Sequence, residues 1–158
     1  MKKQKKILLF FLTATFLFAN AKDIDNTLNA QTEKIAIKKG EILSKELELG
    51  ALKAVNLPMP EASILIKNII SKNVYLGLKI NDGIKILREA NFNVKPIYEK
   101  IGDEKHSNPS YIFAIKKIGE SGSIFKVSLN AYVKLYTKKD GVNEVISRVE
   151  AFADSPLP

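Results

Sequence analysis

From residue 125 to residue 136, within the run 124–136, apolar and polar side chains alternate without a break. Phe125, Val127, Leu129, Ala131, Val133 and Leu135 share one parity; Lys126, Ser128, Asn130, Tyr132, Lys134 and Tyr136 share the other. Successive side chains of a strand point to opposite faces, so this run specifies a strand with one face on a core and the other in water. A helix, with its period of about 3.6 residues, would scatter the same apolar set around its axis. Residues 111–117 read as a second strand, joined to the first through Gly119-Glu120-Ser121-Gly122. Lys139-Asp140-Gly141 turns into a third over 144–153. The expectation is a three-stranded antiparallel meander. Asp154-Ser155-Pro156-Leu157-Pro158 cannot continue a sheet, because Pro has no N–H to donate.

Upstream, residues 74–80 (VYLGLKI) read as a strand and Asn81-Asp82 as an N-cap pair. Ile84, Leu87 and Ala90 give the inner face of a short helix ending near Asn91. Residues 92–98 read as the next strand, where Pro96 implies an edge or a bend. A β-α-β unit therefore precedes the meander. Leu57-Pro58-Met59-Pro60 breaks the chain before it. Ala62, Leu65, Ile66, Ile69 and Ile70 fall at helical spacing and predict a helix over 61–71. A buried strand is the rival, because Ile64-Leu65-Ile66 is a short β-prone run.

Residues 25–55 read as one long helix. Leu28, Ile35, Ile42 and Leu49 recur every seven residues, and Leu43, Leu47 and Leu52 widen the stripe in the second half. Gln31, Lys38 and Lys45 hold the intervening heptad positions, which argues against a two-stranded coiled coil. Gly40 weakens the middle by up to about 1 kcal/mol relative to Ala. So narrow a stripe needs a partner surface. For the second half that surface is assigned to the chain's own domain; for residues 25–39 a neighbouring subunit is equally open. The fold class is α+β: a long N-terminal helix, a β-α-β unit and a C-terminal three-stranded meander, forming one sheet packed on helices.

The first residues carry an address. Lys2, Lys3, Lys5 and Lys6 precede the apolar residues 7–19, and Ala19-Asn20-Ala21 is an A-x-A cleavage signal. A bilayer span needs roughly 20 apolar residues, so this run is too short, and Thr13 and Thr15 dilute it further. The expected organisation is a cleavable secretory signal over 1–21, an N-terminal helix over 22–56 and an α+β domain over 57–158. No Cys follows the apolar run, which excludes lipoprotein attachment. The expected location is the periplasm or beyond, with no integral membrane span after cleavage.

Removing residues 1–21 takes away four lysines and no acid, leaving 21 basic and 17 acidic residues, a net +4 against the +8 of the whole chain. The remaining charge is spread, with no Arg-rich run, so a nucleic-acid partner loses its main support. The chain has no Cys, which removes thiol catalysis, thiolate metal sites and disulfides.

Motifs for chemistry are few. His106, the single histidine, sits in Asp103-Glu104-Lys105-His106. Four consecutive loop residues seldom supply three ligands in metal geometry, and no nucleophile elbow accompanies the histidine. Ser123-Ile124-Phe125-Lys126 matches S-x-x-K, but that motif needs a helix, whereas positions 123 and 126 of a strand point to opposite faces. No cofactor or metal is expected, and the chain is read as non-enzymatic. What remains is surface. Lys126, Tyr132, Lys134 and Tyr136 line the outward face of the longest strand, a composition common at protein interfaces. Unpaired edges of the meander's outer strands offer a second route to a partner.

The twenty residues NDGIKILREANFNVKPIYEK resemble the helix-then-strand half of PASTA repeats and of the N-terminal domains of secretins, with Asn91-Phe92 standing where a Gly-Phe turn falls. The resemblance implies an extracytoplasmic interaction module. The expected function is docking to other cell-envelope proteins as a component of an envelope-spanning assembly (secretion, pilus, conjugation or motor). Contacts would come from Lys126, Tyr132, Lys134 and Tyr136 and from Leu28 and Ile35 on the N-terminal helix. The alternatives are a periplasmic carrier or chaperone for an apolar or anionic ligand, and a small hydrolase using residues 103–106.

Overall fold

The computed structural model describes residues 30–98, 110–121 and 127–155. Two units are resolved by their internal contacts, 1–35 and 36–158. The described part of the first, residues 30–35, is helical, and its Ile35 is 58% exposed. The second opens with helix α1 (residues 36–54), followed by α2 (Met59–Asn73), α3 (Ile80–Glu89), β1 (Asn93–Ile97), β2 (Tyr111–Ser121), β3 (Val127–Asp140) and β4 (Asn143–Asp154).

The four strands form one sheet in the order β1-β2-β3-β4, every neighbouring pair antiparallel. The α+β class holds, and the meander has four strands where three were expected. On β3 the alternation is reproduced over its described part: Leu129, Ala131, Val133 and Leu135 are buried, whereas Tyr132, Lys134 and Tyr136 keep contact with water. Ile112 and Ala114 on β2, and Ala151 and Ala153 on β4, join the same inner face.

The helices bury their apolar faces in one core with that inner face: Leu43 and Leu47 from α1, Ile66 and Ile70 from α2, Ile86 and Leu87 from α3. Residues 59–73 resolve as helix rather than strand, with Pro60 in the first turn, where its missing N–H costs nothing. Buried Asn73 donates its Nδ2 to Glu46 Oε2 at 3.2 Å and to Ile69 O at 3.4 Å, tying α2 to α1.

Two expectations are corrected. Residues 74–80 are not a strand. Gly77 has φ 84° and turns the chain, Leu76 is exposed, and Ile80 already belongs to α3, whose buried positions Ile80, Gly83, Ile86 and Leu87 are helically spaced. Only Lys79 bridges to Val145, flanked by Gly77 N–H to Ile146 O and Ile146 N–H to Leu78 O, both 2.9 Å. The β-α-β unit is therefore absent, and β1 pairs antiparallel with β2.

The second correction concerns the helix stripe. The α1 seam is Ala36, Gly40, Leu43, Leu47, Gly50, Ala51 and Ala54, while Ile42, Leu49 and Leu52 remain exposed. Small residues make the seam because the helices approach closely. A Cβ on Gly40 would lie 2.8 Å from the carbonyl oxygen of Ile86 and against the Cβ of Glu89, so only glycine lets α1 cross the last turn of α3.

The helix-then-strand passage from α3 to β1 is present. Asn91 takes φ 63° and donates to Arg88 O, and Phe92 donates to Leu87 O, both at 2.9 Å, so a left-handed residue closes the helix. Pro96 sits on an edge strand, where the N–H it lacks is not needed.

Candidate functional site

The register of the sheet brings together more than β3 alone offers. Tyr132 lies opposite Phe152 on β4, their rings stacked with centroids 5.1 Å apart and planes 13° from parallel. Tyr132 also meets Phe113 of β2 at 6.1 Å, so three rings cross three strands. One step along, Tyr136 meets Tyr111 at 5.6 Å. Five rings thus form a ladder across the outer face, and neighbouring rings shield one another, which leaves Tyr111, Phe113, Tyr132 and Tyr136 half-buried although they lie opposite the core.

Cations are laid over this ladder. Lys134 Nζ lies 5.3 Å from the centre of the Tyr111 ring, and the Arg148 guanidinium lies 3.8 Å from that of Tyr136. Both are within cation–π range. Glu150 touches both Tyr136 and Arg148: it accepts the Tyr136 hydroxyl at 3.1 Å and faces Arg148 Nε at 3.5 Å. The face is therefore aromatic and mainly cationic. An aromatic ring has few rotors, so such a surface loses little side-chain entropy when a partner covers it, which favours binding.

On the inner side, Lys116 of β2 reaches α1 and donates to Ser44 Oγ at 2.9 Å. Burial pushes its ammonium pKa below the usual 10.5, with Glu48 opposing the shift.

Of the residues singled out by sequence, Tyr132, Lys134 and Tyr136 fall on this face as expected. The side chain of Lys126, and Leu28, lie outside the described residues, as do Ser123 and the 103–106 segment with His106. Ile35 is an exposed helix residue of the first unit. Sequence reasoning missed Tyr111, Phe113, Arg148 and Phe152. The parity of Tyr111 and Phe113 against Ala114 was a signal, but Ile112 and Ile115 blur it. Among the described residues no cluster of His, Cys, Asp or Glu could hold a metal ion, and no helix is long and apolar enough to cross a membrane.

Compared with family models, curated proteins and solved structures, the chain matches none of them.

Proposed function

We propose that this chain is an exported, non-enzymatic docking protein of the bacterial cell envelope, which binds other envelope proteins through the outer face of its sheet. The observation that carries the reading is the five-ring ladder with Lys134 and Arg148 set over it. Aromatic residues and Arg are enriched where proteins bind one another, because a ring supplies large apolar area at the cost of few rotors. A face used only for solubility needs charge without stacked rings. The A-x-A signal at Ala19-Asn20-Ala21 supports export, and the helix-then-strand passage fits an extracytoplasmic interaction module.

The test is affinity purification of tagged protein from native envelopes, with two variants beside it. Tyr132→Ala with Phe152→Ala removes the stacked pair; Lys134→Glu with Arg148→Glu reverses the charge and leaves the rings. The reading expects a defined set of envelope proteins with the wild type and loss of that set with both variants, each still folded by circular dichroism. Recovery of the chain alone, or of the same set with both variants, overturns it.

A further inference from the structure

The register of the sheet lays out the charges of its outer face. Residues opposite one another on neighbouring strands share a face, so Lys95, Phe113, Lys134 and Glu150 stand in one row across all four strands. The row beside it is Asn93, Ile115, Tyr132 and Phe152. On the other side Ile97 faces Tyr111, and Tyr136 faces Arg148. Glu150, the acid of this central region, is already engaged by Tyr136 and Arg148. Further along, Lys117 is paired with Glu120 at 2.6 Å, and Asp154 lies opposite Asn130. Lys95 is exposed and Lys134 half-buried, and neither forms an ion pair among the described residues. They stand two strands apart with Phe113 between them, about 10 Å from backbone to backbone.

The rings decide what kind of partner can use these cations. Tyr132 lies between Phe113 and Phe152, stacked on the second with planes 13° apart. Tyr136 lies between the Tyr111 ring and the Arg148 guanidinium, and Lys134 lies over Tyr111. The rings of β3 are thus flanked from both neighbouring strands, and what they turn outward is edge and hydroxyl. A nucleic-acid base binds an aromatic side chain through a free ring face, which this packing takes up. The edge of an aromatic ring is the positive pole of its quadrupole. Ring edges, tyrosine O–H groups, ammonium and guanidinium therefore all favour negative charge arriving from outside.

We propose that the partner surface seated on this face is acidic: a protein segment whose Asp or Glu carboxylates meet Lys95 and Lys134 while its apolar side chains cover Phe113, Tyr132 and Phe152. The inference rests on the docking reading above and adds to it the chemistry of the partner. Charge complementarity carries it, because the acid on this side is spent on Tyr136 and Arg148 while the two lysines are not. Such complementarity speeds encounter and turns away basic partners, whose like charges would face Lys95 and Lys134. A lipid surface offers negative charge too, but rings shielded by their neighbours do not stand out to enter a bilayer, whereas a protein supplies carboxylates and apolar cover together.

The test treats the complex recovered from native envelopes with a water-soluble carbodiimide, which joins a lysine amine directly to an Asp or Glu carboxylate in contact with it. Cross-linked peptides are read by mass spectrometry. The proposal expects Lys95 or Lys134 joined to acidic residues of a partner. It expects recovery to fall about tenfold between about 0.1 M and about 1 M salt, as the screening length shrinks from about 10 Å to about 3 Å. It also expects recovery to fall several-fold in Lys95→Gln with Lys134→Gln, which leaves the rings in place. A partner set lost with Tyr132→Ala and Phe152→Ala, but joined only through other lysines or indifferent to salt and to the Gln variant, overturns this inference and leaves the docking reading standing. Recovery of no partner set overturns both. If vesicles of phosphatidylglycerol or a single-stranded DNA bind in a way the Gln variant abolishes, and no acidic partner is cross-linked, the anion is lipid or nucleic acid and the inference is overturned.

Discussion

Replacing Leu47 by Ala and, separately, Leu49 by Ala separates the two readings of α1. The stripe read from the sequence makes Leu47 and Leu49 both core residues; the packed seam keeps only Leu47. Leu47 is 0% exposed, so truncation removes buried methyl groups and leaves a cavity between helix and sheet, at a cost of about 2–5 kcal/mol. Leu49 is 64% exposed, so only about a third of its surface is at stake. Full burial of a leucine is worth about 1.5–3 kcal/mol, which makes the loss roughly 0.5–1 kcal/mol, partly offset by the better helix propensity of Ala. Urea unfolding followed by circular dichroism reads both. With a slope of about 1–3 kcal/mol per molar, Leu47→Ala should lower the midpoint by roughly 1 M or more, and Leu49→Ala by a few tenths at most. Equal shifts, or a larger one for Leu49→Ala, would refute the register assigned to α1.

Three more outcomes follow from particular residues. Asn91→Ala, at φ 63°, should cost about 1–2 kcal/mol in thermal or urea unfolding, while Asn91→Gly should cost nothing or stabilise. Lys116 binds its proton less tightly folded than unfolded, so in the window just below pH 10.5 the unfolded chain holds more protons and wild-type stability gains from Lys116 as pH rises. Stability measured from pH 8 upward should therefore show Lys116→Met losing ground to wild type as pH approaches 10.5, and a flat difference would remove that account. Tyr136→Phe gives up the hydroxyl bond to Glu150 and should cost about 0.5–1.5 kcal/mol in the same unfolding assay, with partner binding retained.

The strand β3 was legible because a period of two with one face buried has only one reading. Helix α2 was legible from Ala62, Ile66, Ile69 and Ile70, and Pro96 announced its edge. The seam of α1 was not, because large residues draw attention and the packed positions are mostly Ala and Gly. Ile42 and Leu49 are apolar without being core, and close approach of α3 selects Gly40, which looks like a defect when read alone. Residues 74–80 alternate as a strand would, but the positive φ of Gly77 and the helical set from Ile80 onward prevail. Half of the site was visible, since Tyr132, Lys134 and Tyr136 share one strand. Phe152 and Arg148 come to them through the β3–β4 register, which pairing alone sets.

The central claim is that the outer sheet face is where partners sit. The direct measurement is photo-crosslinking in living cells with a benzophenone amino acid at position 134, on the ladder, compared with position 67, an exposed lysine of α2. The account predicts discrete adducts with envelope proteins from position 134, lost when Tyr132→Ala and Phe152→Ala are added, and none of the same adducts from position 67. No adducts at 134, or the same adducts from both positions, would contradict it.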